Sequence, residues 1–161
     1  MQAIDTDRKE LVNAERRELL AAGTLAAGAL LATAAGNAQA QQALPPKLST
    51  HALDTYTGKQ AGGIRIDLFA IEGEQRRLLK SVRANDEGRV TANLLESETL
   101  KVGRYELVFH VAEYYKRIGV AQTNPEFLDV VPLRVAIWDD KQRYHVPLYF
   151  SPWGYMTYRG S

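Results

Sequence analysis

A chain of 161 residues with 20 lysines and arginines against 19 aspartates and glutamates has a formal net charge of +1, too close to balance to favour nucleic acid as a partner. The absence of cysteine excludes disulfides, thiolate metal sites and a cysteine nucleophile, and no Gly-rich phosphate loop of Walker or dinucleotide type occurs. The three histidines, His51, His110 and His145, do not pair at metal-ligand spacing, so a zinc site, which would have to be assembled from distant strands, is not expected.

Residues 19–40, LLAAGTLAAGALLATAAGNAQA, carry no charge and are rich in alanine, glycine and leucine. They follow Arg16-Arg17-Glu18-Leu19-Leu20 and end in Ala38-Gln39-Ala40. A charged start, an apolar stretch and an A-x-A site predict an export signal, and the twin arginine points to the Tat route. The apolar stretch is too soft for a membrane-spanning helix. Against export, Asp5, Asp7, Glu10 and Glu15 cancel Arg8, Lys9, Arg16 and Arg17, which leaves a retained amphipathic segment as the alternative. The expectation is therefore a signal peptide over 1–40 cleaved after Ala40, with the mature chain in the periplasm.

Residues 41–47, QQALPPK, form a linker that Pro45-Pro46 holds extended. Beyond it, short alternating runs separated by turn residues predict one antiparallel β-sandwich domain over 48–161. A first strand is expected from Leu48 to Tyr56, ending at Thr57-Gly58-Lys59. A second runs from Gly63 to Ile71, with Ile64, Ile66, Leu68 and Ala70 on one face. Arg76 to Arg83 makes a third, and Asn85-Asp86-Glu87-Gly88 turns the chain into Arg89-Val90-Thr91.

In the next strand, Arg104 to His110, apolar Tyr105, Leu107 and Phe109 alternate with polar residues. Residues 112–118, AEYYKRI, break that period and predict two helical turns stopped by Gly119. Phe127–Trp138 and Arg143–Phe150 are expected to form a hairpin around Asp139-Asp140-Lys141, and Ser151-Pro152-Trp153-Gly154 turns into a last strand. The sum is an all-β sandwich of about eight strands with one short helix.

In the run Tyr144-His145-Val146-Pro147-Leu148-Tyr149-Phe150 the even positions are the apolar set, so His145 shares the opposite face with Pro147 and Tyr149. His51 shares a face with Leu53 in the first strand. His110 has the parity of Arg104 and Glu106, which reads as a solvated face. Arg89 follows a turn glycine, where an exposed arginine is commonplace.

Taken together, LSTHALDTYTGKQAGG, DEGRV, AEYYKRIG and YHVPLYFSPWGYMTYRGS resemble the transthyretin-like 5-hydroxyisourate hydrolase family over essentially all of residues 47–161. The closing Tyr-Arg-Gly-Ser is that family's terminal signature. Gln60 stands where the family usually has proline, and Met156 where serine or threonine is common. The resemblance implies a transthyretin-like homotetramer with clefts between dimers, hydrolysis of 5-hydroxyisourate at a ring acyl carbon, and no cofactor.

Carried over by position, the catalytic set is His51, Arg89, His145 and Ser161. The substrate-binding set is His51, Arg89, Tyr158, Arg159, Gly160 and Ser161. Histidine titrates near neutrality and suits a general base that takes a proton from water. Arginine's planar fork suits a flat, oxygen-rich substrate, and Ser161 could complete the polar wall or orient a histidine. Which histidine is the base stays open at this level. Two other readings share the fold: a transthyretin-like carrier, and a periplasmic sandwich used only for protein interaction. Both leave the polar set without a task.

Overall fold

The computed structural model describes residues 44–160. The expected signal peptide over 1–40, residues 41–43 of the expected linker, and Ser161 lie outside the described residues. Among the described residues, eleven short strands, one 3-10 turn and one helix follow in order. The strands are β1 (Lys47–Ser49), β2 (Ala52–Asp54), β3 (Lys59–Gln60), β4 (Arg65–Glu72), β5 (Gln75–Arg83), β6 (Leu95–Glu96), β7 (Gly103–Phe109), β8 (Val131–Ile137), β9 (Arg143–His145), β10 (Leu148–Ser151) and β11 (Gly154–Thr157). The 3-10 turn spans Ser97–Thr99 and α1 spans Val111–Arg117.

One layer is the sheet β5-β4-β7-β8, antiparallel throughout. The other comprises β6-β1-β9 and β11-β10-β2-β3, which share continuous chain through Thr50-His51 and Val146-Pro147. Leu48, Ala52, Leu148 and Phe150 from this layer meet Ile66, Leu68, Leu107 and Phe109 from the first in one buried core. This is the transthyretin-like sandwich, with alternating residues of each inner face supplying the core.

Three sequence expectations are corrected. The strand expected from Leu48 to Tyr56 is broken between Ser49 and Ala52, and its partner is broken between His145 and Leu148. Pro147 has no N–H for a ladder, and the buried Thr50 hydroxyl donates to the Val146 carbonyl at 2.6 Å instead. The hairpin expected between 127–138 and 143–150 does not form. β8 pairs with β7 over Val131–Ile137, whereas β9 runs parallel to β1 and β10 parallel to β2, so the sandwich is not wholly antiparallel. Alternation is the same for a hairpin and for a change of layer, and the corner at 139–142 makes the latter. The Tyr144 hydroxyl pins it, accepting from the Asp139 N–H at 3.1 Å and donating to the Asp139 carbonyl at 3.0 Å.

The third correction concerns the supposedly solvated face of β7. Glu106 is only 2 % exposed because Arg76 and Arg134 close over it with bonds of 2.8 and 2.6 Å. His110 is half-buried between Arg65 and Asp67. Long arginine side chains from neighbouring strands make a polar face into an interior.

The helix forms where expected, shifted by one residue, and buries Val111, Ala112, Tyr114 and Tyr115. It is tied to β2 through fully buried Asp54, whose carboxylate accepts from the Tyr115 hydroxyl at 2.6 Å and the Thr57 hydroxyl at 2.6 Å. The N–H groups of Tyr56 and Thr57 and the Tyr114 hydroxyl add three further bonds at 2.9, 3.2 and 3.3 Å. Burial, reinforced by Asp54, pushes the Tyr114 hydroxyl up to about 12 and the Tyr115 hydroxyl higher still. Both therefore act as fixed donors, and the knot secures the far end of β2, whose near end follows His51 directly.

Candidate active site

The parallel pairing of β1 with β9 sets Ser49 directly beside His145. On its other side, His145 exchanges backbone bonds with Gly160, donating to its carbonyl at 3.2 Å and accepting from its N–H at 2.7 Å. Gly160 fits there because it lacks a side chain: a Cβ would come within 3.1 Å of the His145 Cβ and 3.3 Å of its Cδ2. His51, in the break between β1 and β2, bridges to Arg89. The turn before Arg89 is held by Gly88, whose carbonyl accepts from the Ala52 N–H at 2.8 Å. With φ at 69° and the Ala52 carbonyl 2.3 Å from where a Cβ would stand, only glycine is accommodated at position 88. The Asn85 side-chain carbonyl completes the turn by accepting from the N–H groups of Glu87 and Arg89.

Thus two histidines 94 positions apart in sequence meet, with His51 Nδ1 2.7 Å from His145 Nε2. The ring centroids are 4.9 Å apart and the planes differ by 17°, which places the rings edge to edge, as an in-plane N–H···N bond requires. His145 Nδ1 lies 3.0 Å from the Ser49 hydroxyl oxygen. The Tyr149 ring stands edge-on to His51 at 6.0 Å, and Tyr158 stacks on Tyr149 at 6.2 Å.

Burial, then the His51 ring, Arg89 and Lys47, press His145 down to about 4, opposed by the Ser49 main-chain carbonyl. Burial and Arg89 also lower His51. The pair is therefore neutral near pH 7, with one ring able to donate and the other to accept.

The pair opens into a cleft of about 700 Å³. Arg89, Lys47 and Arg143 bring positive charge to its walls, Glu87 is its acid, and Tyr158 stands at its edge. Of the residues carried over from the family pattern, His51, Arg89, His145 and Tyr158 line this space, and Gly160 backs it from behind His145. Arg159 does not point into it. Its guanidinium lies over the rings of Trp138 and Tyr144 at 5.1 and 5.3 Å and donates to the Gln142 side chain at 3.1 Å. Ser161 lies outside the described residues.

Sequence reasoning passed over Ser49, Lys47 and Arg143. Ser49 was legible as the residue two before His51, on the same strand parity. Among the described residues, no group of three or more His, Cys, Asp or Glu side chains is assembled that could hold a metal ion.

The HIUase/Transthyretin family model matches residues 48–160. The chain is 49 % identical over 115 residues to 5-hydroxyisourate hydrolase 2 of Rhizobium meliloti, covering 71 % of this chain and 96 % of the relative. It is 50 % identical to 5-hydroxyisourate hydrolase of Ralstonia nicotianae, covering 71 % and 98 %. Among solved structures, 5-hydroxyisourate hydrolase of Klebsiella pneumoniae superposes with a TM-score of 0.59 at 31 % identity, covering 72 % and 99 % of the two chains. Sea bream transthyretin in complex with thyroxine gives 0.63 at 18 % identity over 70 % and 93 %, a likeness of fold alone. Family model, sequence relatives and the sandwich itself agree: the chain belongs to the HIUase/Transthyretin family.

Proposed function

We propose that this chain hydrolyses 5-hydroxyisourate to 2-oxo-4-hydroxy-4-carboxy-5-ureidoimidazoline, with the neutral His51–His145 pair supplying the base. The observation that carries the reading is that pair, bonded at 2.7 Å beside Arg89, on the scaffold of relatives named for this reaction. A ring nitrogen takes a proton from water as its oxygen bonds to the acyl carbon. The C–N bond then breaks, and the same proton passes to the departing ring nitrogen. Arg89 holds the planar, oxygen-rich substrate and stabilises charge developing on the acyl oxygen. Such acid–base assistance contributes about 10²–10⁴-fold. A carrier would be served by apolar walls, whereas this cleft is lined by histidine, lysine and arginine.

The test is the ultraviolet absorbance of freshly generated 5-hydroxyisourate, which should decay faster with the purified protein. Decay at the spontaneous rate overturns the reading.

Assembly and location extend the proposal. A homotetramer is favoured by the family resemblance and by Tyr155 and Met156, exposed on the outermost strand β11, with Trp153 and Tyr158 flanking them. Light scattering should return four times the protomer mass. Export to the periplasm rests on Arg16-Arg17 and the apolar stretch after them. Replacing both arginines with lysine should leave the precursor in the cytoplasm, and unchanged export counts against the Tat route.

A further inference from the structure

We propose that Ser49 is a positioning residue for the histidine pair, fixing its tautomers so that His51 Nε2 carries the lone pair that takes the proton from water. The inference rests on the hydrolase reading and deepens it by assigning each histidine its part.

A serine hydroxyl has one proton to give. Ser49 Oγ lies 3.4 Å from the Tyr144 main-chain carbonyl, which can only accept. It also lies 3.0 Å from His145 Nδ1. Both contacts are satisfied together when the hydroxyl donates to the carbonyl and accepts from an Nδ1–H on His145. The Ser49 main-chain carbonyl raises the proton affinity of that ring, as an acceptor beside a ring N–H does.

With its proton on Nδ1, neutral His145 has a lone pair on Nε2. The 2.7 Å contact to His51 is then filled by His51 donating from Nδ1. That leaves the lone pair of His51 on Nε2, for which the structure provides no intramolecular bond among the described residues, on a side chain that lines the cleft. The order of donation runs from His51 through His145 and Ser49 to the Tyr144 carbonyl. Register pairing holds the last two members together: Ser49 and His145 are direct partners between β1 and β9. When His51 Nε2 takes a proton, its Nδ1–H stays on the neutral Nε2 of His145, so no second transfer is needed.

Without the Ser49 hydroxyl, the Nδ1–H of His145 loses its 3.0 Å acceptor and keeps only the Ser49 main-chain carbonyl, so the form with the proton on Nε2, donating to His51 Nδ1, gains population. In that form the His51 proton sits on Nε2, where the base should be. Ser49→Ala should therefore lower kcat about tenfold, with KM within about twofold, while Ser49→Thr should restore most of it because the hydroxyl returns. Lys47, Arg89, Arg143, Glu87, Tyr149 and Tyr158 face the pair and are retained in both variants. The acidic limb of the pH–rate profile should therefore move little.

The second readout is ¹⁵N NMR of histidine-labelled full-length protein near pH 7.5. The wild type should show unprotonated Nε2 on both His51 and His145. In Ser49→Ala, protonated Nε2 should appear on both. Wild-type spectra with a proton on His145 Nε2 overturn the proposal whether or not the variant folds. So does Ser49→Ala with full kcat, or with lowered kcat and an unchanged tautomer pattern. If the wild type leaves 5-hydroxyisourate decay at its spontaneous rate, the hydrolase reading fails, while the NMR arm still tests the tautomer order.

Discussion

The chain's three histidines sit in two opposite electrostatic settings. His51 and His145 have each other, a serine and cations: burial and Arg89 lower both, and the bond between their rings joins two neutral groups. His110 lies in a cage of compensated charge. Its Nδ1 accepts from Arg65 at 2.9 Å, its Nε2–H donates to Asp67 at 2.7 Å, and Asp67 also accepts from Ser81 at 2.5 Å. Both nitrogens of His110 are committed within the fold. A histidine whose bonding capacity is filled holds structure together, whereas one with a nitrogen facing a cleft can do chemistry.

The widest separation between these settings should come from replacing the histidines. His51→Asn or His145→Asn should slow turnover of 5-hydroxyisourate by about a hundredfold or more, with the sandwich intact by circular dichroism. His110→Asn should leave turnover within about twofold. The comparison breaks if His110→Asn costs as much as His145→Asn in the absorbance assay.

Next in size is Gly160→Ala, since the added Cβ would press on the His145 ring from 3.3 Å. It should lower kcat by about tenfold, on the scale of displacing a group that orients a functional histidine. The alanine variant at full activity would show that the ring has room to give.

Arg89→Gln sharpens the electrostatic half of the contrast. The lowered His51 and His145 place the acidic limb of the pH–rate profile below the ordinary histidine value of 6.5. Removing Arg89 removes one cause of that lowering, so the limb should move upward in pH while KM rises. A limb that stays in place would mean that burial and the remaining neighbours, Lys47 and the paired ring, keep the pair neutral without Arg89.

The strands over 65–72, 75–83 and 103–109, the helix and the His145 parity were legible in the sequence because each is local: a period of two, a period near four, or a fixed even-odd face. Tyr144, Val146, Leu148 and Phe150 are all buried, as the pattern required. The crossing from β8 to β9 was not legible, because Asp139-Asp140-Lys141 serves a hairpin and a layer change equally well. Glu106 and His110 misled for a related reason. Periodicity tells which residues share a face, and only the arginines reaching in from β5, β4 and β8 decide that this face is covered. The meeting of His51 with His145 likewise needed the parallel register between distant strands; family resemblance supplied the residues before geometry supplied their contact.

The smallest expected effect on activity, and the one that tests the structural half of the comparison, is pH-dependent stability. As pH falls from 6.5 toward 4, the unfolded chain binds a proton that His145 refuses in the fold, so stability should decline across that window. The carboxylates outside the cleft act lower down. Burial alone would raise Asp67 and Glu106, yet hydrogen bonds from Ser81 and His110, and from Arg134 and Arg76, hold them below their ordinary values. Arg83 and Arg65 do the same for Glu113 against a smaller burial effect. Their stabilisation is present above the unfolded carboxylate range and is lost as pH falls through the still lower folded values. Chemical denaturation between pH 7 and 3 should therefore show two declines. His145→Asn should flatten the upper one and spare the lower, whereas Asp67→Asn should reduce the lower one, spare the upper, and leave turnover at neutral pH within about twofold of wild type, because the group it alters touches His110 and not the cleft.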